Sequence, residues 1–146
     1  MAETPRVSAE LRTLVVERAR HRCEYCLSPA RYATQRLSVE HVLPRAKGGQ
    51  TTLANLALAC QGCNNHKYNH TEATDPVSEL IVPLYHPRHD RWCDHFAWSA
   101  DLLVMVGITP TGRATVAALL LNRDGIVNLR RLLLGVGEHP PTVPEL

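Results

Sequence analysis

Four cysteines in two closely spaced pairs carry the clearest chemical signal in the sequence. Cys23 and Cys26 lie in the segment CEYC, and Cys60 and Cys63 lie in the segment CQGC. Two Cys-x-x-Cys turns can present four thiolates to one tetrahedral Zn²⁺, and such a closed site has no open position for water or substrate. The spacing therefore predicts a structural zinc site and excludes this ion from catalysis.

Disulfides and a redox-active cysteine pair are the alternatives for these residues. The chain has five cysteines, an odd number, and it lacks the βαβ pattern that accompanies a redox pair of the thioredoxin type. Tight pairs of this kind suit a metal in a reducing compartment better than a disulfide framework. We therefore expect a cytoplasmic protein in which Cys93 is a buried or partly buried free thiol.

A second group of polar residues lies between the cysteine pairs and just after them. Hydrolysis of a phosphodiester requires an activated water, a cation beside the phosphate and groups that hold the backbone. His41 can accept a proton at neutral pH, because imidazole titrates at about 6.5. Glu40 and Asn64 offer hard oxygen ligands for Mg²⁺ or Mn²⁺. Three basic side chains are candidate phosphate contacts: Arg45, Lys47 and Lys67.

Each of these residues taken alone also has a structural interpretation without chemistry. A strand can carry an exposed histidine, a glutamate can be solvated, and an asparagine can cap a helix. Their order along the chain favours catalysis instead. A Glu-His pair is followed by Pro44, by Gly48-Gly49 and by Asn55-Leu56, and then by the second cysteine pair, Asn64 and Lys67.

This order resembles the HNH endonucleases, a family of the ββα-metal or His-Me finger class, in their zinc-containing form. The resemblance implies that His41 activates the attacking water and that Glu40 and Asn64 hold the catalytic divalent ion. It also implies that Asn55 stabilises the loop that orients the base, and that the four cysteines bind zinc. It favours DNA as the substrate, with RNA as an alternative.

The sequence departs from the commonest family pattern at two positions. Glu40 stands where Asp is commonest, and Asn64 stands where the last His of the motif often lies. The longer carboxylate could shift the geometry of a bound ion, whereas an Asn amide oxygen remains a neutral ligand. Adjacent residues of a regular strand point to opposite faces, so the strand should end, twist or bulge at Glu40 and His41.

The elements that position these residues follow from the spacing of apolar and turn-forming residues. We predict an N-terminal helix over residues 8–21, capped by Ser8. A strand over Leu37–Val42, a loop with a helical turn ending at Asn55, a strand over Leu56–Ala59 and a helix beginning near Asn64 should follow. The predicted fold class is α+β, a ββα-metal finger stapled by a four-cysteine zinc site.

One domain over residues 1–146 is expected, with a core at 8–72 and an extension at 73–138. The extension should contain strands at Leu80–Leu84, Phe96–Trp98 and Leu102–Ile108, followed by helices at Thr111–Asn122 and Ile126–Gly135. The Pro-rich residues 139–146 should form an extended tail. No chemistry can be attached to the extension from its sequence.

The charge distribution favours a polyanionic partner. The net charge is +2, but residues 1–70 carry ten Lys or Arg against five Asp or Glu, and residues 71–146 carry six against nine. Four arginines of the first helix could contact phosphate, although a solvated face paired with its glutamates is the alternative: Arg12, Arg18, Arg20 and Arg22.

A DNA-cleaving enzyme is therefore the leading interpretation, and a non-catalytic zinc-containing module that binds nucleic acid is the competing one. No apolar run approaches the about 20 residues of a membrane span, so we expect no membrane partner. The sequence identifies neither a protein partner nor an interface for a homodimer.

Overall fold

A computed structural model describes residues 7–142 of the chain. Its helices and strands are α1 (Ala9–Arg18), β1 (Ser38–His41), β2 (Leu56–Ala59), α2 (Gln61–Lys67), β3 (Glu72–Thr74), β4 (Ile81–Pro83), α3 (Trp92–His95), β5 (Phe96–Trp98), β6 (Met105–Gly107), α4 (Pro110–Leu119) and α5 (Asp124–Gly135). The strands form three two-stranded antiparallel sheets, β1–β2, β3–β4 and β5–β6. The predicted mixture of helices and small sheets is confirmed.

Helix α1 begins where the sequence predicts but ends earlier. Ser8 caps it, because its hydroxyl accepts a hydrogen bond from the backbone N–H of Leu11 at 3.2 Å. Arg20 and His21 have φ angles of 55° and 58°. This left-handed backbone cannot continue an α-helix, so the helix stops at Arg18 instead of reaching residue 21.

The β1–β2 pair and α2 form the frame around the candidate site. Glu40 pairs with Ala57 and His41 with Leu56, and all four residues of β2 are buried. Helix α2 contacts β1. It begins at Gln61 rather than near Asn64, because Cys60 caps it and its sulfur accepts from the backbone N–H of Cys63.

The extension packs onto this frame instead of standing apart from it. Helix α4 contacts α2 and the strands β3, β4 and β6. Leu119, Leu121 and Ile126 share one hydrophobic core cluster with Val15 and Leu58. Strand β3 and the short helix α3 were not predicted, because three- and four-residue elements leave little periodic signal.

The start of the predicted tail is packed against the extension. His139 is buried, and its Nε2 lies 2.6 Å from the carbonyl oxygen of Leu102. Its ring also meets the edge of Trp98 at a centroid distance of 4.6 Å. The tail prediction is thus wrong for His139, and residues 143–146 lie outside the described part of the chain. Within residues 7–142, no helix is both long and apolar enough to cross a membrane.

Asp75 joins the turn after β3 to α4. Its carboxylate accepts two hydrogen bonds at 2.9 Å from Arg113, and two more from the backbone N–H groups of Val77 and Ser78. These donors hold the pKa of Asp75 below its usual range, with Arg113 as the largest cause. The ion pair therefore favours the ionised carboxylate in the folded protein.

We expect Asp75→Asn to lower the melting temperature by several degrees at pH 7, because the charged fork to Arg113 is lost. The depressed pKa contributes stability above the unfolded value of about 3.9, and this contribution is lost as the pH falls towards the folded value. The gap between the variant and the parent should therefore narrow below about pH 4. Thermal unfolding followed by circular dichroism at pH 7 and pH 3 measures it, and equal melting temperatures at pH 7 would contradict the assigned role.

Candidate functional site

The four paired cysteines come together as the sequence predicts. All four sulfurs lie within 4.8 Å of one another, and the Sγ atoms of Cys26 and Cys60 are 3.8 Å apart. A Zn–S distance of about 2.3 Å places the sulfurs of a regular tetrahedron about 3.8 Å apart. Three of the four cysteines are buried and Cys60 is partly buried, whereas Cys93 is exposed, contrary to the predicted burial. The cluster therefore fits a closed zinc site of four thiolates.

Arg123 of the extension lies against this cluster. Its Nη2 is 3.4 Å from Cys60 Sγ, and its Nη1 is 3.6 Å from Cys63 Sγ. Four thiolates around Zn²⁺ leave two excess negative charges, which a guanidinium partly offsets. Gly62 makes room for this contact, because a Cβ there would lie 2.4 Å from Arg123 Nη2. No local pattern in the sequence indicates this partner, which follows Cys63 by 60 residues.

The loop between β1 and β2 is closed around the side chain of Asn55. Its Oδ1 accepts from the backbone N–H of Leu43 at 2.9 Å. Its Nδ2 donates to the carbonyl oxygens of Leu43 and Gln50 at 3.0 and 2.9 Å. Gly49 permits this closure, because a Cβ there would meet Leu43 O at 1.7 Å. Asn55 therefore has the contacts that its predicted role as a loop-stabilising residue requires.

His41 is the last residue of β1 and lies beside this loop. Its ring is partly exposed, and its Nε2 is 2.8 Å from Thr51 Oγ1. Burial lowers the pKa of His41, and the nearby charge of Arg45 lowers it further. The ring is therefore held by one nitrogen and favours the neutral form. The sequence did not predict this contact of Thr51 with His41.

Glu40 occupies a different environment from its neighbour His41. It is buried, and its Oε1 accepts a short hydrogen bond from the hydroxyl of Tyr25. Its Oε2 lies 3.4 Å from Lys67 Nζ, which also donates to the carbonyl oxygen of Val42 at 3.0 Å. Burial raises the pKa of Glu40, while Lys67 and Tyr25 oppose that rise. We call Tyr25, Glu40 and Lys67 the buried triad.

This placement corrects two predictions. Lys67 is only 2% exposed, so it cannot reach a phosphate in solution as predicted. Glu40 has both oxygens engaged and is also buried, whereas Mg²⁺ retains several of its waters. A hydrated divalent ion therefore does not fit beside Glu40 while Lys67 is in place. Within residues 7–142, the four cysteines are the only group of three or more His, Cys, Asp or Glu side chains spaced to hold a metal.

The other predicted residues remain near the surface. Asn64 is partly buried on α2, directly after Cys63. Arg45 and Lys47 are exposed in a single 3₁₀ turn. Strand β1 ends at His41, one residue before the predicted Val42, and its pairing is regular through both Glu40 and His41, so the predicted twist or bulge at this pair is absent. Adjacent strand residues alternate between faces, which explains why the two side chains have separate partners.

The buried triad predicts a specific pattern of stability. Lys67→Met removes the cation and leaves the Glu40 carboxylate buried without it, which should cost about 3–5 kcal/mol in the free energy of unfolding. Urea unfolding measures this cost. Adding Glu40→Gln to Lys67→Met should restore much of the lost stability, because the uncompensated charge is then gone. Lys47→Met, at an exposed lysine, is the matched control, and an equal effect of the two single variants would contradict the ion pair.

The contact of Arg123 with the cysteine sulfurs predicts slower zinc loss. We expect purified protein to contain one zinc per chain and Arg123→Gln to release it faster to a chromogenic chelator, by about 10-fold, the low end of the effect of outer partners on metal affinity. Arg131→Gln, an exposed change on α5, is the control. Zinc release at the same rate from both variants would remove Arg123 from the metal site.

Comparison with known proteins agrees with this geometry. The family model described as HNH endonuclease matches residues 23–70, about a third of the chain. The match begins at the first zinc-site cysteine and includes β1, β2, α2 and the whole candidate site. No curated protein and no solved structure matches the chain significantly. Residues 23–70 are therefore similar to the HNH endonuclease family.

Proposed function

We propose that the protein is a divalent-ion-dependent endonuclease that hydrolyses phosphodiester bonds of DNA, with His41 as the general base. The placement of His41 carries this proposal. Its ring lies partly exposed at the end of β1, beside the loop that Asn55 closes, within the segment that matches the HNH family. A base in such a position is accessible to water and held in one orientation.

The contacts of the imidazole support a route for the proton. In the tautomer that donates Nε2–H to Thr51 Oγ1, the lone pair lies on Nδ1, which can accept a proton from water. The lowered pKa of His41 keeps this lone pair free at neutral pH. The water that has lost its proton then attacks the phosphorus, and the bond to the leaving oxygen breaks.

The surroundings of His41 support binding of a nucleic-acid backbone. Arg45 and Lys47 are exposed on the loop that follows β1, where they can contact phosphate oxygens. A divalent ion, when bound, neutralises charge that develops on the phosphate. Asn64 is the predicted ligand that remains accessible, and Glu40 is assigned to the buried triad instead. Clustered free thiols support a reducing, cytoplasmic location.

A non-catalytic zinc-containing module that binds nucleic acid is the second candidate. The buried triad favours it, because the carboxylate expected to hold the catalytic ion is paired with a lysine. Such a protein would keep the zinc site and the exposed basic loop, and it would bind DNA without cutting it. The two candidates therefore differ in cleavage and agree in binding.

Cleavage of supercoiled plasmid distinguishes the candidates. We expect nicked or linear product with Mg²⁺ or Mn²⁺ and none with chelator. His41→Ala should lower the rate by about 10²- to 10⁴-fold, the usual contribution of a general base. His66→Ala, at an exposed histidine on α2, is the matched control. A folded RNA in the same assay tests the alternative substrate.

Two results would contradict this proposal. Cleavage by His41→Ala at the parent rate would exclude His41 as the base. Binding of plasmid without cleavage under every metal condition would favour the non-catalytic module. Circular dichroism and zinc content must match the parent for each variant, because an unfolded or zinc-free protein would be inactive for another reason.

A further inference from the structure

A cavity of about 480 Å³ lies beside the end of α1, apart from the loop of His41. Small-molecule sites typically have volumes of about 300–1,000 Å³. Its wall combines aromatic and aliphatic side chains with a cluster of arginines. The arginines are Arg18, Arg20, Arg22 and Arg88.

The positive charge of the cavity is only partly balanced. Four arginines line it, against two carboxylates, those of Glu24 and Asp90, and one cysteine of the zinc site, Cys23. Glu24 forms an ion pair with Arg88. Asp90 accepts a hydrogen bond at 2.8 Å from the backbone N–H of His86. The remaining arginines therefore lack a carboxylate partner in the cavity wall.

Neutral groups hold two of these arginines in place. Arg18 donates to the carbonyl oxygens of Leu53 and Leu56 at 2.8 and 2.6 Å. Arg22 donates to the carbonyl oxygen of Leu27 at 2.9 Å. Carbonyl oxygens satisfy the N–H donors but do not cancel the charge. Burial lowers the pKa of Arg18, and repulsion from Arg88 lowers it further, while the charge of Glu24 opposes this shift.

Arg20 is the exposed member of this arginine cluster. Its side chain forms no hydrogen bond or ion pair with another residue within 7–142. Its left-handed backbone, with φ at 55°, ends α1 and leaves its side chain at the wall of the cavity. An anion at this position would gain charge-assisted hydrogen bonds from a guanidinium that has no competing partner.

The other part of the wall is apolar and aromatic. Tyr85 and Trp92 are both buried and line the cavity together with Leu27 and Pro87. A phosphate ion alone would gain no binding free energy from an apolar surface, whereas a nucleobase gains free energy by contact with aromatic rings. The wall therefore fits a ligand that carries both an anionic group and a flat apolar group.

We propose that this cavity binds one nucleotide unit of the nucleic-acid strand, with its phosphate at Arg20 and Arg22 and its base against Trp92. This inference rests on the proposed nuclease function for its biological meaning. The cavity is connected to the reaction site, because Arg18 and Arg88 both donate to the carbonyl oxygen of Leu56, the residue that pairs with His41. A nucleotide in the cavity would therefore fix the strand at a set distance from His41.

Calorimetric titration with deoxyadenosine monophosphate, without divalent ions, tests the cavity directly. We expect saturable binding that is about 10-fold weaker in Arg20→Gln and in Arg22→Gln, because each loses one charge-assisted contact. Deoxyadenosine and inorganic phosphate should each bind more weakly than the nucleotide. Arg131→Gln, outside the cavity wall, is the control and should bind as the parent does.

Trp92 supplies a second measurement. It is one of two tryptophans in the chain and lines the cavity, so its fluorescence should change as the nucleotide binds. Unchanged affinity in both Arg20→Gln and Arg22→Gln would overturn the proposal. Equal affinity for inorganic phosphate and the nucleotide would also overturn it, because the base would then make no contact. Arg20→Gln keeps the test valid if Arg22→Gln fails to fold, since Arg20 has no internal contacts to lose.

The binding test and the cleavage test fail independently. His41→Ala should bind the nucleotide with parental affinity, because His41 does not line the cavity. If His41→Ala also cleaves plasmid at the parent rate, the proposed mechanism is contradicted, but the proposal of nucleotide binding in the cavity is not. If the arginine variants bind the nucleotide normally while His41→Ala is inactive, the cavity proposal is contradicted, but the proposed nuclease function is not.

Discussion

The close approach of four cysteine sulfurs constrains the positions of most other groups in this protein. Two of them precede β1 and two follow β2, so the cluster closes the chain around the loop of His41 and Asn55. Thiolates at this separation repel each other unless a cation lies between them. Zn²⁺ would supply that cation, and Arg123 adds a positive charge beside Cys60 and Cys63. The frame and the extension are thus in contact at the cysteine cluster.

A second charged group, the buried triad, serves the same frame in another way. The ammonium of Lys67 lies between the Glu40 carboxylate and the carbonyl oxygen of Val42, which connects α2 to β1 and to the loop after it. A buried pair of this kind contributes little net stability, but removing one member is costly. Glu40 and His41 are adjacent in the chain but therefore have different structural roles. Glu40 fixes α2 on the strand, and His41 faces the loop and the solvent.

The sequence predicted those features that depend on local spacing. The cysteine cluster, the strand at Leu56–Ala59 and the cap at Ser8 all follow from patterns within a few residues. The sequence did not predict the features that depend on long-range packing. Lysine is rarely buried, so its type indicated a surface position for Lys67. The positions of Arg123 and His139 depend on how the extension folds back, which no local pattern records.

The shared hydrophobic core has a consequence for how the segment that matches the HNH family could be reused. Leu119 and Leu121 of the extension are fully buried in the same cluster as Leu56 and Leu58 of β2. A fragment cut after α2 would leave these apolar surfaces open to water and would lose Arg123 from its zinc site. The matched segment is therefore not a transplantable module in this protein. A chimaera that contains residues 23–70 would have to include α4 and α5 as well.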